Sequence, residues 1–238
     1  KDSATFSTMR DLTAGVVSKS YALNYLLPEH VATAHKEGDI HFHDLDYHPF
    51  QPLTNCCLID AESMLKHGFQ IGNATVTSPK SIQTASAQLV QIIANVSSSQ
   101  YGGCTIDRVD ELLSHYVQYN EAKHRGLAKK FVQPQDIETY VDYRVSQDIE
   151  DAIESLEYEI NTLYTSNGQT PFVTLGFGLG TDTYSRKIQQ AILNTRIKGL
   201  GKDRITAIFP KLVFSIKKGV NFSSKDPNYD IKQLALEC

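Results

Sequence analysis

The 238-residue chain has an ordinary globular composition, with 41% hydrophobic residues, 21% charged residues and a formal net charge of −4 at pH 7. This charge provides no basic surface for nucleic acid, and no apolar run approaches the ~20 residues that span a bilayer. The four cysteines, Cys56, Cys57, Cys104 and Cys238, lack the spacing of a disulfide scaffold or a CxxC zinc site. Free thiols of this kind are typical of a reducing cytoplasm.

Helical and extended segments alternate along the chain. At this length, a single domain is the simplest interpretation. The predicted helices cover 13–27, 28–37, 61–67, 81–99, 108–123, 135–165, 182–197 and 230–238. The predicted strands or extended runs cover 40–45, 53–59, 169–176, 205–208 and 209–214, and a turn-rich loop covers 73–79. Strands separated by helices indicate an α/β core with parallel strands, or a barrel.

A polar cluster follows the second predicted helix, where three histidines and two aspartates lie between His41 and His48. In a strand, His41 and His43 would share a face. Two histidines so placed can chelate one metal ion, as in the barrels of metal-dependent hydrolases. Alternatively, the cluster is a polar network whose side chains bond to backbone amides and fix a loop. The spacing alone leaves both hypotheses open.

Two adjacent cysteines, Cys56 and Cys57, lie in the next extended run and must point to opposite faces of it. Each is either a small buried hydrophobic residue or a reactive thiol in an active site. The dipeptide does not decide between these roles.

Two glycine-rich turns, Tyr101-Gly102-Gly103 and Phe177-Gly178-Leu179-Gly180, are candidates for cradling phosphate at helix N-termini. Neither matches a Walker or dinucleotide-binding pattern, so the sequence favours tight turns over phosphate sites.

The string Gly-Asp-Ile-His-Phe-His-Asp-Leu-Asp-Tyr at 38–47, followed by Thr54-Asn55-Cys56, closely resembles the large subunit of anaerobic (class III) ribonucleoside-triphosphate reductases. The likeness continues to the end of the chain through Gly72-Asn73-Ala74, Pro79-Lys80-Ser81-Ile82, Gln91-Ile92-Ile93-Ala94, Tyr101-Gly102-Gly103, Gln169-Thr170-Pro171-Phe172-Val173-Thr174, Phe209-Pro210-Lys211-Leu212 and Asp226-Pro227-Asn228-Tyr229-Asp230. Together these motifs are specific and cover essentially the whole chain.

The resemblance implies that residues 1–238 form the first half of a ten-stranded α/β barrel, with long helices for dimer packing. It implies reduction of ribonucleoside triphosphates by a glycyl radical, which a separate radical S-adenosylmethionine enzyme generates, with formate as the reductant. At the matching position, Cys56 would donate a hydrogen atom to the substrate sugar, and Asn55, His41 and His43 would shape that site.

The resemblance also implies a site for deoxynucleotide effectors at the interface of a homodimer. Lys80, Gln91 and Lys123 match positions used there, and lysine charge suits effector phosphate.

Several parts of such an enzyme have no counterpart in these residues: the ATP cone, the radical cysteine, the structural zinc site and the glycyl radical region. We therefore expect a segment that is inactive without the remaining C-terminal half. A metal-dependent hydrolase using His41 and His43 is the alternative hypothesis, and a non-catalytic piece that assembles with another chain is the third.

Overall fold

The computed structural model describes residues 6–47, 55–100, 102–164 and 170–238. Its helices are α1 (Phe6–Tyr21), α2 (Glu29–Glu37), α3 (Ala61–His67), α4 (Ile82–Ser97), α5 (Val109–Phe131), α6 (Ile137–Thr162), α7 (Thr183–Lys198) and α8 (Tyr229–Glu237). Its strands are β1 (Cys57–Leu58), β2 (Phe69–Ile71), β3 (Ala74–Val76), β4 (Cys104–Ile106), β5 (Val173–Phe177) and β6 (Lys211–Phe214).

Four of these strands form a parallel sheet in the order β1-β4-β5-β6. Helices intervene in the sequence between all neighbouring strands of this sheet, because a parallel pair needs a long crossover connection. The predicted α/β class with parallel strands is therefore confirmed.

The long helices α4, α5, α6 and α7 pack against one another. The predicted apolar stripe of α6 is buried, from Val141 and Val145 through Ile149 and Ile153 to Ile160. Local signals also set where these helices begin: the Ser81 hydroxyl accepts from the Thr84 amide at 3.1 Å, and a carboxylate oxygen of Asp182 accepts from the Ser185 amide at 3.0 Å.

Two predictions about extended structure were wrong. The predicted loop at 73–79 contains β3, which forms an antiparallel hairpin with β2, and the predicted strand at 205–208 contributes only a single bridge, between Ile205 and Leu200. Residues 40–45, predicted as a strand or an extended loop, form no strand, and a turn covers 43–47. Strand β4 was not predicted, because three residues are too few to show a period of two.

The long helices differ from their predicted bounds mainly at their C-terminal ends. Helix α5 continues to Phe131, beyond the predicted end at 123, and α6 ends at Thr162. Within the part of the chain that the structure describes, no helix is both long enough and apolar enough to cross a membrane.

Candidate active site

The parallel sheet has one covered face and one open face. Cys57, Cys104 and Val173 form one register row, and Cys104 and Val173 are each only 1% exposed in the core shared with the helices. The next row contains Leu58, which is 73% exposed, together with Thr105, Thr174 and Lys211. Successive side chains of a strand point to opposite sides, so this second row defines the open face.

Cys56 immediately precedes β1 and is exposed, whereas Cys57 is half-buried against the core. Because side chains alternate along extended backbone, Cys56 lies on the same side as Leu58, the open face. The structure thus agrees with the expectation that the two cysteines point to opposite faces, and it identifies which of the two is accessible.

The backbone around Cys56 is held by the glycine pair that precedes β4. The Gly102 amide donates to the Asn55 carbonyl at 2.5 Å, and the Cys57 amide donates to the Gly103 carbonyl at 3.0 Å. A Cβ on residue 102 would overlap the Asn55 carbonyl oxygen and lie 3.0 Å from the Cys56 Sγ. Glycine at 102 therefore allows the backbone of this loop to approach the cysteine closely.

Cys104 is the least accessible thiol of the row. Burial raises the pKa of the Cys104 thiol to about 11, and the neighbouring Cys57 contributes in the same direction. At neutral pH this thiol is protonated.

His41 and His43 lie in the turn that follows α2, not on a strand. Their ring centroids are 5.8 Å apart, and the His41 centroid is 5.6 Å from that of His35 on α2. The His43 Nδ1 is 2.5 Å from the Asp44 Oδ1, and the Phe42 amide donates to the His35 Nδ1 at 3.1 Å. These contacts match the polar-network hypothesis, in which histidine and aspartate side chains fix a loop.

The same turn also contacts α1, because the Tyr47 hydroxyl donates to the Asp11 carboxylate at 2.5 Å. His48 and Thr54, which belong to the cluster and to the motif before Cys56, lie outside the described residues. Within the described ranges, no group of three or more His, Cys, Asp or Glu side chains is placed to hold a metal ion.

The second glycine-rich turn does not present its amides to a phosphate, so that hypothesis was wrong for Gly178 and Gly180. Both amides donate to the Asp110 Oδ2, at 3.3 and 3.1 Å, and the Gln189 side-chain amide donates to the same oxygen at 2.5 Å. An internal carboxylate thus occupies the anion position. Burial raises the pKa of Asp110, although these three hydrogen bonds oppose that shift.

Other fully buried amides extend this network to the loop after β6. The Asn221 side chain donates to the Gly178 carbonyl at 2.9 Å and to the Ser215 carbonyl at 2.8 Å, and Asn228 donates to the Gly180 carbonyl at 2.7 Å. These contacts fix the loops at the carboxyl ends of β5 and β6. Sequence reasoning missed them, and the only sequence signal was an acidic residue in the first turn of a helix.

The three residues predicted to bind an effector are exposed on the helix layer. The Lys80 Nζ lies 4.9 Å from the ring centroid of Tyr119 on α5, and Lys123 is one turn further along that helix, on the same side as Tyr119. Gln91 is eleven residues along the chain from Lys80, or about 16 Å at the rise of a helix. Lys80 and Lys123 therefore lie near Tyr119 on one surface, and Gln91 lies further along α4.

Comparison with known proteins identifies the family. The family model of anaerobic ribonucleoside-triphosphate reductases matches residues 1–238. Over 238 residues the chain is 58% identical to the anaerobic ribonucleoside-triphosphate reductase of Haemophilus influenzae and 55% identical to that of Enterobacteria phage T4. It covers 100% of its own length in both comparisons, but only 34% and 39% of those two proteins.

A solved structure shares the fold. The anaerobic ribonucleotide reductase from Thermotoga maritima with dATP bound in the specificity site gives a TM-score of 0.58 and 12% identity, over 99% of this chain and 40% of that one. The described chain thus spans a third or somewhat more of these relatives. From the match over its whole length, we conclude that the chain belongs to the anaerobic ribonucleoside-triphosphate reductase family.

Proposed function

We propose that this chain is part of the catalytic barrel of an enzyme that reduces ribonucleoside triphosphates to deoxyribonucleoside triphosphates, with Cys56 as the hydrogen donor to the substrate sugar. The observation that carries the proposal is the asymmetry of the cysteine pair: Cys56 is exposed beside the open face, and Cys57 is packed against the core. Relatives that are 55–58% identical carry this activity in their names.

A thiol is suited to this role because its S–H bond can release a hydrogen atom as well as a proton. The Gly102–Gly103 backbone holds the segment that carries Cys56, so the sulfur has a defined position relative to a substrate lying on the open face. Asn55 is exposed beside it and would contribute to the shape of the site. Among the described residues, the rings of His41 and His35 lie close together and His43 contacts Asp44, and the part of both histidines in the site stays a prediction.

The rest of the catalytic apparatus would come from outside these residues. On this proposal, a glycyl radical made by a radical S-adenosylmethionine enzyme supplies the radical chemistry. A structural zinc site and a radical cysteine lie in the remaining C-terminal half, formate is the reductant, and the 238 residues alone are inactive.

The ten-stranded barrel is likewise part of the proposal. Parallel sheets are ordinarily covered on both faces, whereas one face of the β1-β4-β5-β6 sheet exposes Leu58 and Val213. Strands β1 and β6 form the two edges of this sheet. Further strands that continue from these edges would enclose the open face and Cys56.

An effector site on the helix layer completes the proposal. Lys80 and Lys123 supply two positive charges on one surface, which suits a deoxynucleoside triphosphate bound at the interface of a homodimer. A relative's structure has dATP in its specificity site. Lys80→Ala in the full-length protein should weaken dATP binding at least tenfold by calorimetry. Lys129→Ala, on the exposed surface of α5, the helix that carries Lys123, should leave the binding constant unchanged.

The test of the catalytic proposal is anaerobic turnover by the activated full-length enzyme. We expect Cys56→Ala to abolish deoxynucleotide formation and Cys57→Ala to keep most of it, because only Cys56 faces the substrate. Cys57→Ala is the matched control, because the two cysteines are adjacent in the sequence. Equal loss of activity in both variants would show that the wrong face was assigned.

A further inference from the structure

A second pair of thiols lies behind Cys56, on the covered face of the sheet. Cys57 on β1 and Cys104 on β4 are register partners in neighbouring parallel strands. Neighbouring strands are about 4.8 Å apart, which is within the ~4.4–6.8 Å between Cα atoms that a disulfide allows. Register partners also direct their side chains to the same side of the sheet.

The two thiols differ in access. Cys57 is half-buried, so a small oxidant can reach it, whereas Cys104 is 1% exposed. The contribution of Cys57 to the raised pKa of Cys104 is consistent with their proximity. Such an arrangement matches an attacking thiol with a resolving thiol held beside it.

We propose that Cys57 and Cys104 form a reversible cross-strand disulfide when the protein meets a disulfide oxidant. In the first step the Cys57 thiolate attacks one sulfur of the oxidant, so that a mixed disulfide forms and one thiol leaves. In the second step the Cys104 thiolate attacks the Cys57 Sγ and releases the second thiol. The two protein thiols lose two electrons to the oxidant and two protons, which the departing thiolates or solvent take up.

Two features of the site set the rate and the lifetime of this bond. A Cys104 pKa of about 11 leaves little thiolate at neutral pH, so the second step is slow and accelerates as pH rises. A disulfide also needs its Cβ atoms ~3.5–4.5 Å apart, so the bond must draw β1 towards β4. Strain of this kind makes a disulfide easy to reduce.

A disulfide between Cys57 and Cys104 would also affect Cys56. Cys56 directly precedes Cys57, and the Gly102 backbone is close to its sulfur. Drawing β1 towards β4 shifts the segment that carries Cys56, so oxidation of Cys57 and Cys104 changes the position of the Cys56 thiol without modifying it. The disulfide itself does not depend on the reductase proposal.

The experiment treats the full-length protein with excess oxidised glutathione at pH 8.5, traps free thiols by alkylation after acid quenching, and maps tryptic peptides by mass spectrometry. Trypsin releases 37–66, which contains Cys56 and Cys57, and 81–108, whose only cysteine is Cys104. We expect these peptides joined, lighter by two hydrogens than their sum, and separated again by a dithiol reductant.

Variants assign the bond. Cys56→Ala should keep the joined peptides and Cys57→Ala should lose them, with Cys57→Ser as a second variant and circular dichroism as the check on folding. The proposal is overturned if the wild-type peptides never join under these conditions, or if they still join in a folded Cys57 variant, because Cys56 would then be the partner of Cys104.

Discussion

The Asp110 carboxylate makes a specific prediction about the loop at the carboxyl end of β5. Asp110→Ala removes the acceptor for the Gly178 and Gly180 amides, which donate to it at 3.3 and 3.1 Å in a site that is 0% exposed at Asp110. Each buried N–H left without an acceptor costs ~1–3 kcal/mol. Release of a desolvated carboxylate offsets part of that cost, because burial raises the Asp110 pKa.

The expected net cost is ~2–4 kcal/mol of local stability, which corresponds to ~30- to 1000-fold in an opening equilibrium. Hydrogen exchange of the peptide spanning 177–181 in the full-length protein measures it as faster exchange at Gly178 and Gly180. Asp110→Asn should lose less local stability, because the asparagine amide oxygen can still accept from both glycine amides. As a control, Asp203→Ala in an exposed turn should leave this peptide unchanged.

An exchange rate of that peptide in Asp110→Ala within threefold of wild type would contradict this expectation. The glycine amides would then be satisfied without the carboxylate, and the internal-anion interpretation of the loop would be wrong.

Two further predictions concern a buried acid and a glycine. Glu157 is 0% exposed beside Arg196, and burial raises the pKa of its carboxyl from 4.5 to about 7. The folded state therefore holds this proton more tightly than the unfolded state does. The protonated Glu157 contributes fully to the free energy of unfolding below pH ~4.5, and this contribution falls by ~3 kcal/mol as pH rises through ~7. Denaturant titrations of wild type and Glu157→Gln should therefore show that wild type loses about this much stability relative to the glutamine variant between pH 5 and pH 8. Parallel pH profiles of the two proteins would contradict this expectation. Gly102→Ala should reduce turnover of the full-length enzyme at least tenfold, because the new Cβ would overlap the Asn55 carbonyl oxygen and displace the segment that carries Cys56; unchanged turnover would show that this segment tolerates the shift.

The sequence was sufficient for the helix layer because the signals for those helices are local. Ser81 and Asp182 act as N-caps, and α6 shows a buried residue at every third or fourth position from Val141 to Ile160. Such patterns depend on neighbours within a turn or two of helix, so a single sequence contains them.

The extended segments were less predictable because their structure depends on distant partners. Strand β4 is three residues long and exists because Cys104 pairs with both Cys57 and Val173. The apparent alternation at 40–45 has no strand partner among the described residues, and there the chain turns back towards α1 instead.

In the candidate site, too, local sequence patterns predicted some features, and others depended on distant partners. The motif identified the family and singled out Cys56, but the cysteine dipeptide alone gave no indication of which thiol is buried. That answer required the register of β1 with β4 and the position of the helices on one face. The Asp110 network also joins residues up to 79 positions apart, which no local pattern reveals.

On the proposed function, the Cys56 thiol faces the substrate while Cys57 and Cys104 do not. The most direct measurement is the rate of iodoacetamide modification of each cysteine in the reduced full-length protein, located by tandem mass spectrometry with and without a ribonucleoside triphosphate. We predict that Cys56 reacts fastest of the three and that the nucleotide slows its modification at least fivefold without changing the rate at Cys57. Equal rates at Cys56 and Cys57, or nucleotide protection of Cys57 alone, would contradict the assignment.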